Sequence, residues 1–262
     1  MPSFGVCTSV DRAAVLQSVG FDHVEAAAVP LFDGRVADDS DLDIDAVRRA
    51  VLPVPACNML LPGDDITITG PTFDLRRLTT YIDRTFRRAA SVGVGILVFG
   101  SGAARPIRDG QTPERARERI LTFLRTAAPL AELHGVTLAI EPLRSEECNI
   151  INTVSEAMEY VDEVDHPGVR CLVDSFHMWE EREPLASVEE AMGCVVHVHV
   201  ADRGTRAGSG ADPRRAGEYR DFFALLKGAG YDGAVSVEGK HRWDEDSLRT
   251  IHDFLHEQWN AA

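Results

Sequence analysis

A chain of 262 residues, 44% of them hydrophobic, is long enough to bury a large core, and its 42 acidic residues against 27 Lys and Arg give a formal net charge of −15. A field of that sign repels phosphate backbones and anionic membranes, so neither is expected as the main partner. The five cysteines, Cys7, Cys57, Cys148, Cys171 and Cys194, are scattered with no CxxC pair, and no leader or bilayer-spanning stretch appears, so the expectation is a cytoplasmic protein with reduced thiols.

In chain order, short β-rich runs alternate with longer amphipathic ones. "SFGVCT" (3–8) predicts a first strand and "DRAAVLQSVG" (11–20) a helix closed by Gly20. "HVEAAAV" (23–29) follows as a strand, then a short helix over 43–51, then "VPACNML" (54–60) as a third strand. Residues 74–92 predict a helix and "GILVFGS" (95–101) a fourth strand. Thr112 can cap the next helix, Pro113 suits its first turn, and Gly135 sits where a left-handed cap would end it. Pro129, inside that helix, removes a donor and is expected to kink it.

"VTLAIEPL" (136–143) is the fifth strand, and Thr153 with Glu156 forms a capping-box pattern for a helix to Val164. "VRCLVDS" (169–175) predicts the sixth strand, "SVEEAMG" (187–193) a short helix and "CVVHVHV" (194–200) the seventh strand. "YRDFFALLKGAG" (219–230) is a helix, "AVSVEG" (234–239) an eighth strand and 244–259 a terminal helix. Eight strand–helix units without a linker or close repeat predict one domain over 1–262, a (β/α)8 TIM barrel, with a doubly wound open sheet as the alternative.

In such a barrel chemistry sits at the carboxyl ends of the strands, where side chains alternate inward and outward. Leu138 and Ile140 outward puts Glu141 inward; Val173 outward puts Asp174 inward; Val235 and Val237 outward put Glu238 inward. Val196, Val198 and Val200 outward put His197 and His199 on the inner face. Four adjacent strands thus aim Glu141, Asp174, His199 and Glu238 at one point. Three carboxylates packed together repel unless they are protonated or share a cation, so one divalent metal ion is expected. Oxygen donors with one nitrogen suit Mn²⁺, Mg²⁺ or Co²⁺, with Zn²⁺ as a further option. His197, one step deeper, is expected to pack beneath His199 and hydrogen-bond. A single strand-end acid or histidine is more often a cap or a satisfied core group, and a structural ion network could produce the same pattern; the weight lies in the convergence.

"VFGSG" (98–102), "IEPL" (140–143), "LVDSFHMWEER" (172–182), "HVHVAD" (197–202) and "GYDGAVSVEG" (230–239) together resemble the sugar phosphate isomerase/epimerase family with the xylose isomerase-like barrel, and within it the D-tagatose 3-epimerase-type ketose epimerases. The resemblance implies that Glu141, Asp174, His199 and Glu238 are metal ligands, and that Glu141 and Glu238 are also the acid and base. It implies further that Glu147 and His177 contact substrate oxygens. The implied reaction is proton transfer on a ketose or related α-hydroxy ketone through a cis-enediolate, with the metal as Lewis acid. A small-molecule sugar is the implied partner, and a homo-oligomer is compatible with the family.

The chain departs from the family after strand seven, where an asparagine–arginine pair is replaced by "ADRGTRAGSGADPRRAGEYR" (201–220). Arg203 and Arg206 are both candidates for the substrate arginine, with Arg206 preferred. Asn58 can reach the pocket, and loops 31–42 and 101–112, rich in Gly and Asp, are expected to cover it as mobile segments. A lyase or dehydratase acting on a sugar- or inositol-derived ketone is the alternative function. An endonuclease IV-like repair nuclease is a weaker one, since it would need further strand-end histidines and a basic DNA track.

Overall fold

The computed structural model describes residues 1–262. The strands are β1 (Ser3–Cys7), β2 (His23–Ala27), β3 (Ala56–Asn58), β4 (Ile96–Phe99), β5 (Thr137–Ile140), β6 (Val169–Asp174), β7 (Val195–Val200) and β8 (Ala234–Val237). All neighbours pair in parallel and β1 pairs β8, so the sheet closes into the expected eight-stranded barrel and no open-sheet edge remains. The helices are α1 (Ala13–Val19), α2 (Ala28–Phe32), α3 (Asp45–Arg49), α4 (Leu75–Ser91), α5 (Pro113–His134), α6 (Val154–Val164), α7 (Ser175–Glu180), α8 (Leu185–Ala191), α9 (Ala216–Gly228) and α10 (Glu245–Ala261).

The cap signals operate as read, except that the capping box at Thr153 forms only by half, Glu156 Oε2 accepting from the Asn152 amide instead of that of Thr153. Thr112 Oγ1 accepts from the Arg115 amide, Thr153 Oγ1 accepts from the Glu156 amide, and Gly135 takes a left-handed conformation (φ 71°). Pro129 does not end its helix, which continues to His134. Two short helices absent from the sequence reading, α2 and α7, lie directly beyond β2 and β6.

The main core lies between the strands' outer faces and the helices and includes Leu138, Ile140, Val173, Val198, Val200, Val235 and Val237, which face outward as the alternation requires. Inside the barrel the apolar filling is small: Val98, Ala139 and Leu172, with Ile96 and Val196 against them. Val196 is therefore a correction, having been expected outward. The β6–β7 register slips so that Cys171 pairs Val195 while Leu172 pairs His197, and the extra residue turns into the barrel. The opposite side of the interior is polar. His23, Glu25, His197, His199 and Ser236 are all buried there, and the His23 ring fills the space where a Cβ on Gly5 would stand.

The two loops expected to be mobile are anchored. Arg88 of α4, fully buried, donates to the carbonyl oxygens of Asp33 and Val36 and to Asp39 Oδ1. Arg105, also fully buried, donates to the carbonyl oxygens of Phe99 and Glu141, and so ties the segment after β4 to the mouth of the barrel. Both loops are thus bonded through buried guanidinium groups to main-chain carbonyls, contacts that their polar and glycine-rich composition does not announce.

Candidate active site

At the carboxyl ends of β5 to β8, donor atoms of Glu141, Asp174, His199 and Glu238 all lie within 4.8 Å of one another. Glu141 and Glu238 are the first residues beyond β5 and β8, Asp174 closes β6, and His199 is the next-to-last residue of β7. His199 Nδ1 is 2.9 Å from Glu141 Oε1 and 3.3 Å from Glu238 Oε2. Room for Glu141 comes from Gly100, where a Cβ would stand 1.7 Å from Glu141 Oε2.

Asp174 divides its two oxygens. Oδ1 accepts from the Phe176 amide at 2.7 Å and starts α7, while Oδ2 is buried with no hydrogen-bond partner. A buried carboxylate oxygen without a hydrogen-bond partner is costly; this one has only Arg206 Nη2, at 4.0 Å, and His177 Nε2, at 3.6 Å, as polar neighbours besides the other three donors. Three hard oxygens and one imidazole nitrogen, closely gathered, fit one divalent cation.

The electrostatics carry the same tension. Burial first, then Glu238, pushes the Asp174 carboxyl up to about 6 and raises Glu141 as well. Burial also works against a charge on Glu238, but His199 and Arg206 outweigh it and hold that carboxyl down at about 2. Burial opposes charge on His199, yet Glu25, Cys7, Glu238 and Glu141 around it raise the imidazole well above its ordinary value. The two acids on either side of His199 are thus driven in opposite directions.

Glu25 of β2 was not picked out from the sequence, although the structure puts it in direct contact with the site. Fully buried, it lies 2.9 and 3.0 Å from His199 Nε2 through its two oxygens, and 2.7 Å from His197 Nε2. A carboxylate at Nε2 fixes the proton there and leaves Nδ1 of His199 to face Glu141 and Glu238. His197 packs beneath His199 as expected, ring centroids 5.1 Å apart. The signal for Glu25 was present: it is the one charge in "HVEAAAV" and shares the inward register of His23. Cys7 also lies near Glu25 and His199, but burial and the Glu25 charge raise its thiol well above the ordinary value, which favours the neutral S–H over a metal-binding thiolate.

Around this centre stands a second set of residues. Arg206 Nη2 donates to Glu238 Oε2 at 2.7 Å, Nη1 lies 3.2 Å from Glu147 Oε2, and the guanidinium carbon sits 5.1 Å from the centre of the Phe176 ring. Its backbone is left-handed (φ 50°), and bonds between Asp202 and Ala207 and between Lys240 and Arg206 clamp the loop that carries it. Arg203, the other candidate, points to Glu180 at 3.8 Å and lies outside the site. Asn58 Nδ2 donates to Glu238 Oε1 at 3.1 Å, so both oxygens of Glu238 are held. His177 Nδ1 accepts from the Arg144 amide at 3.1 Å; its buried Nε2 has no partner and lies 3.6 Å from Asp174 Oδ2. Glu147 accepts from Arg144 Nε at 2.8 Å at the rim.

Two cavities open from this point, of about 440 Å³ and about 620 Å³. The smaller runs over Glu141 and Glu147 toward Gly100–Ala103, and the larger runs over Cys7–Val10 toward Pro30 and Leu31. They share Asn58, Met59, Arg206 and Glu238.

The family described as "Xylose isomerase-like TIM barrel" matches residues 13–258, nearly the whole chain. The chain belongs to that family. Among similar proteins, the 3-dehydro-D-guloside 4-epimerase of Escherichia coli (strain K12) is 28% identical over 258 residues, covering 94% of this chain and 92% of that one. The D-psicose 3-epimerase of Ruminiclostridium cellulolyticum is 26% identical over 237 residues, covering 84% and 74%. The crystal structure of apo 3-keto-D-glucoside 4-epimerase from E. coli superposes with a TM-score of 0.78 at 23% identity, covering 99% of this chain and 100% of that one, and shares the fold.

Proposed function

We propose that the protein is a divalent-metal-dependent sugar isomerase or epimerase, moving a proton at a carbon beside the carbonyl of a ketose or related α-hydroxy ketone. The observation that carries this reading is the gathering of Glu141, Asp174, His199 and Glu238 donors within 4.8 Å around an unpartnered Asp174 Oδ2. Relatives named as a keto-sugar 4-epimerase and as a ketose 3-epimerase, similar over most of the chain, support the same chemistry.

Glu141, Asp174, His199 and Glu238 would hold the ion, with Mn²⁺, Mg²⁺ or Co²⁺ matching their oxygen-rich character. When bound, a divalent ion supplies Lewis acidity that stabilises negative charge on the substrate's carbonyl oxygen. The protein's own groups do the proton work. Glu141 and Glu238 come from strands separated by β6 and β7 and reach the centre from different sides of the barrel mouth. One carboxylate removes the C–H proton from one face, and the other, protonated, returns a proton to the opposite face. Asn58 and Arg206 hold both oxygens of Glu238 and so fix its orientation. His177, with Nδ1 accepting from backbone, offers its Nε2–H to a substrate oxygen, and Glu147 with Arg206 binds hydroxyls at the rim.

Proton NMR in D₂O tests the reading, with free ketoses, ketose phosphates and keto-glycosides as probes and a chelator added before the spectrum. Metal-dependent deuterium entry beside the carbonyl, absent in Glu238→Gln, is the expected result. Water loss or bond cleavage in the same spectra would assign lyase chemistry instead. Exchange undiminished in Glu238→Gln would remove Glu238 from the acid–base pair.

A further inference from the structure

Arg144 stands outside the cluster of four donors and lines neither cavity, yet its contacts converge on the residues assigned to substrate. It opens the turn after β5. Its carbonyl oxygen accepts from the amides of Glu147 at 2.9 Å and Cys148 at 3.1 Å, and its own amide donates to His177 Nδ1. The side chain returns over the same turn. Nε donates to Glu147 Oε1 at 2.8 Å, and Nη1 lies 3.2 Å from Glu146 Oε2 and 3.5 Å from Glu180 Oε2. The guanidinium carbon sits 5.1 Å from the centre of the Phe176 ring, as does that of Arg206.

An ion pair with both ends in water contributes little. Arg144 is only 24% exposed, and its planar fork is fixed by an aromatic ring and by carboxylates on two elements. Phe176, His177 and Glu180 all belong to α7, and Glu180 Oε1 also accepts from the Gly204 amide at 2.8 Å. The side chain therefore joins the Glu147 turn to α7 and, through Glu180, to the loop that carries Arg206.

Glu147 depends on such a hold, because its side chain is 30% exposed at the rim and can otherwise turn to water. Arg206 meets it at 3.2 and 3.3 Å, but that guanidinium also serves Glu238 at 2.7 Å. The shorter bond is the one from Arg144. A carboxylate accepts up to about four hydrogen bonds, so two arginines leave room for a substrate hydroxyl.

Resting on the epimerase reading, we propose that Arg144 is a positioning residue: through Nε it holds the Glu147 carboxylate at the angle that meets a substrate hydroxyl, without touching substrate itself.

The test compares metal-loaded wild type, Arg144→Ala, Glu147→Gln and the double variant on D-fructose, D-psicose and L-ribulose, with KM and kcat read from deuterium entry. Arg144→Ala should raise KM about ten-fold and leave kcat within about two-fold, the mark of lost ground-state binding. Made on Glu147→Gln, the same change should move KM by less than about two-fold, since the carboxylate it acts on is gone; a merely structural side chain would weaken both backgrounds alike. Arg144→Lys keeps a charge without the Nε contact and should resemble Arg144→Ala. The ¹H–¹⁵N cross-peak of Arg144 Nε, identified by its loss in both Arg144 variants, should shift in Glu147→Gln.

An unchanged KM in Arg144→Ala, an equal rise in both backgrounds, or a wild-type KM in Arg144→Lys overturns the assignment and leaves the epimerase reading standing. Absence of deuterium entry from every ketose into wild type defeats the epimerase reading. Ketose binding by saturation-transfer NMR then decides Arg144. The assignment holds if Arg144→Ala and Glu147→Gln each weaken saturation and the double variant weakens it no further, and any other pattern overturns it.

Discussion

Glu25 is the carboxylate on which the orientation of His199 depends. Both its oxygens lie within 3.0 Å of His199 Nε2, and one also meets His197 Nε2 at 2.7 Å, in a region closed to water. Glu25→Gln keeps the shape but removes the charge, and an amide can present its NH₂ to Nε2 and invert the tautomer. Loss of such an outer partner typically weakens metal affinity by about 10–100-fold. Isothermal titration of chelator-stripped protein with Mn²⁺ should show that loss, and ¹⁵N shifts of His199 should show the changed tautomer. Unchanged affinity would mean that the barrel wall alone orients the ring. Gly100 makes a sharper case. Its φ is not in the left-handed region, so alanine is acceptable to the backbone, yet its Cβ would stand 1.7 Å from Glu141 Oε2. Gly100→Ala is expected to leave the melting temperature nearly unchanged while moving Glu141, with kcat/KM lower by on the order of 10²-fold. Equal activity in that variant would show that Glu141 is not held at its working position. The four clustered donors could be read from sequence because each breaks an apolar alternation at a strand end. Glu25 went unread because it lies in the middle of β2, not at its end, and the alanines that follow it fit either face and blur the period. The preference for Arg206 over Arg203 had no periodic signature behind it in the sequence; what places Arg206 is a left-handed backbone and a loop clamp.

At the scale of elements, the long helices and the strands were visible through caps and periodicity, and the shorter devices were not. α7 has six residues, too few for an amphipathic period, and begins at Asp174, whose Oδ1 caps it while Oδ2 stays free for the site. The β6–β7 bulge shifts Val196 inward without any Gly or Pro to announce it. The loops after β2 and β4 look mobile in composition, yet each is bonded to a buried arginine, Arg88 reaching carbonyls some fifty residues away and Arg105 the carbonyl of Glu141. Arg88→Met tests the first tie. It preserves much of the apolar stem but leaves the carbonyls of Asp33 and Val36 without a donor. Each orphaned carbonyl costs about 1–3 kcal/mol. For a chain of this size every kcal/mol lowers the melting temperature by roughly 2–4 °C, so a fall of at least about 4 °C is expected. Hydrogen exchange should quicken over residues 33–41 before it quickens in the strands. A melting temperature within a degree of wild type would show that the loop does not depend on Arg88.

For the whole molecule, closure of β8 onto β1 leaves no free sheet edge, and the barrel so closed holds unusually little hydrocarbon. Val98, Ala139 and Leu172 fill the side under β4 to β6, whereas His23, Glu25, His197 and Ser236 fill the side under β1, β2, β7 and β8. That polar half ends at His199, so the support of the fold and the support of the site are one network: His23 Nε2 bonds Ser236 Oγ at 2.9 Å, Ser236 lies 3.4 Å from His197, and Glu25 joins His197 to His199. Asp174 and Glu141, buried beside the Glu238 carboxylate and pushed up by it, work against folding as charged groups until a cation is shared among the three. Metal should therefore act on global stability. An ion at 100 times its Kd adds about 2.7 kcal/mol, which for a domain of this size is roughly 5–10 °C in melting temperature. Calorimetry of chelator-stripped protein titrated with Mn²⁺ should show that rise. His199→Ala should reduce it sharply, and Glu25→Gln should need about 10–100-fold more Mn²⁺ to reach the same midpoint. Were the wild-type midpoint indifferent to Mn²⁺, Mg²⁺ and Co²⁺ alike, the cluster would be an ion network of protonated acids and imidazolium, and the metal-dependent reading of the site would fall.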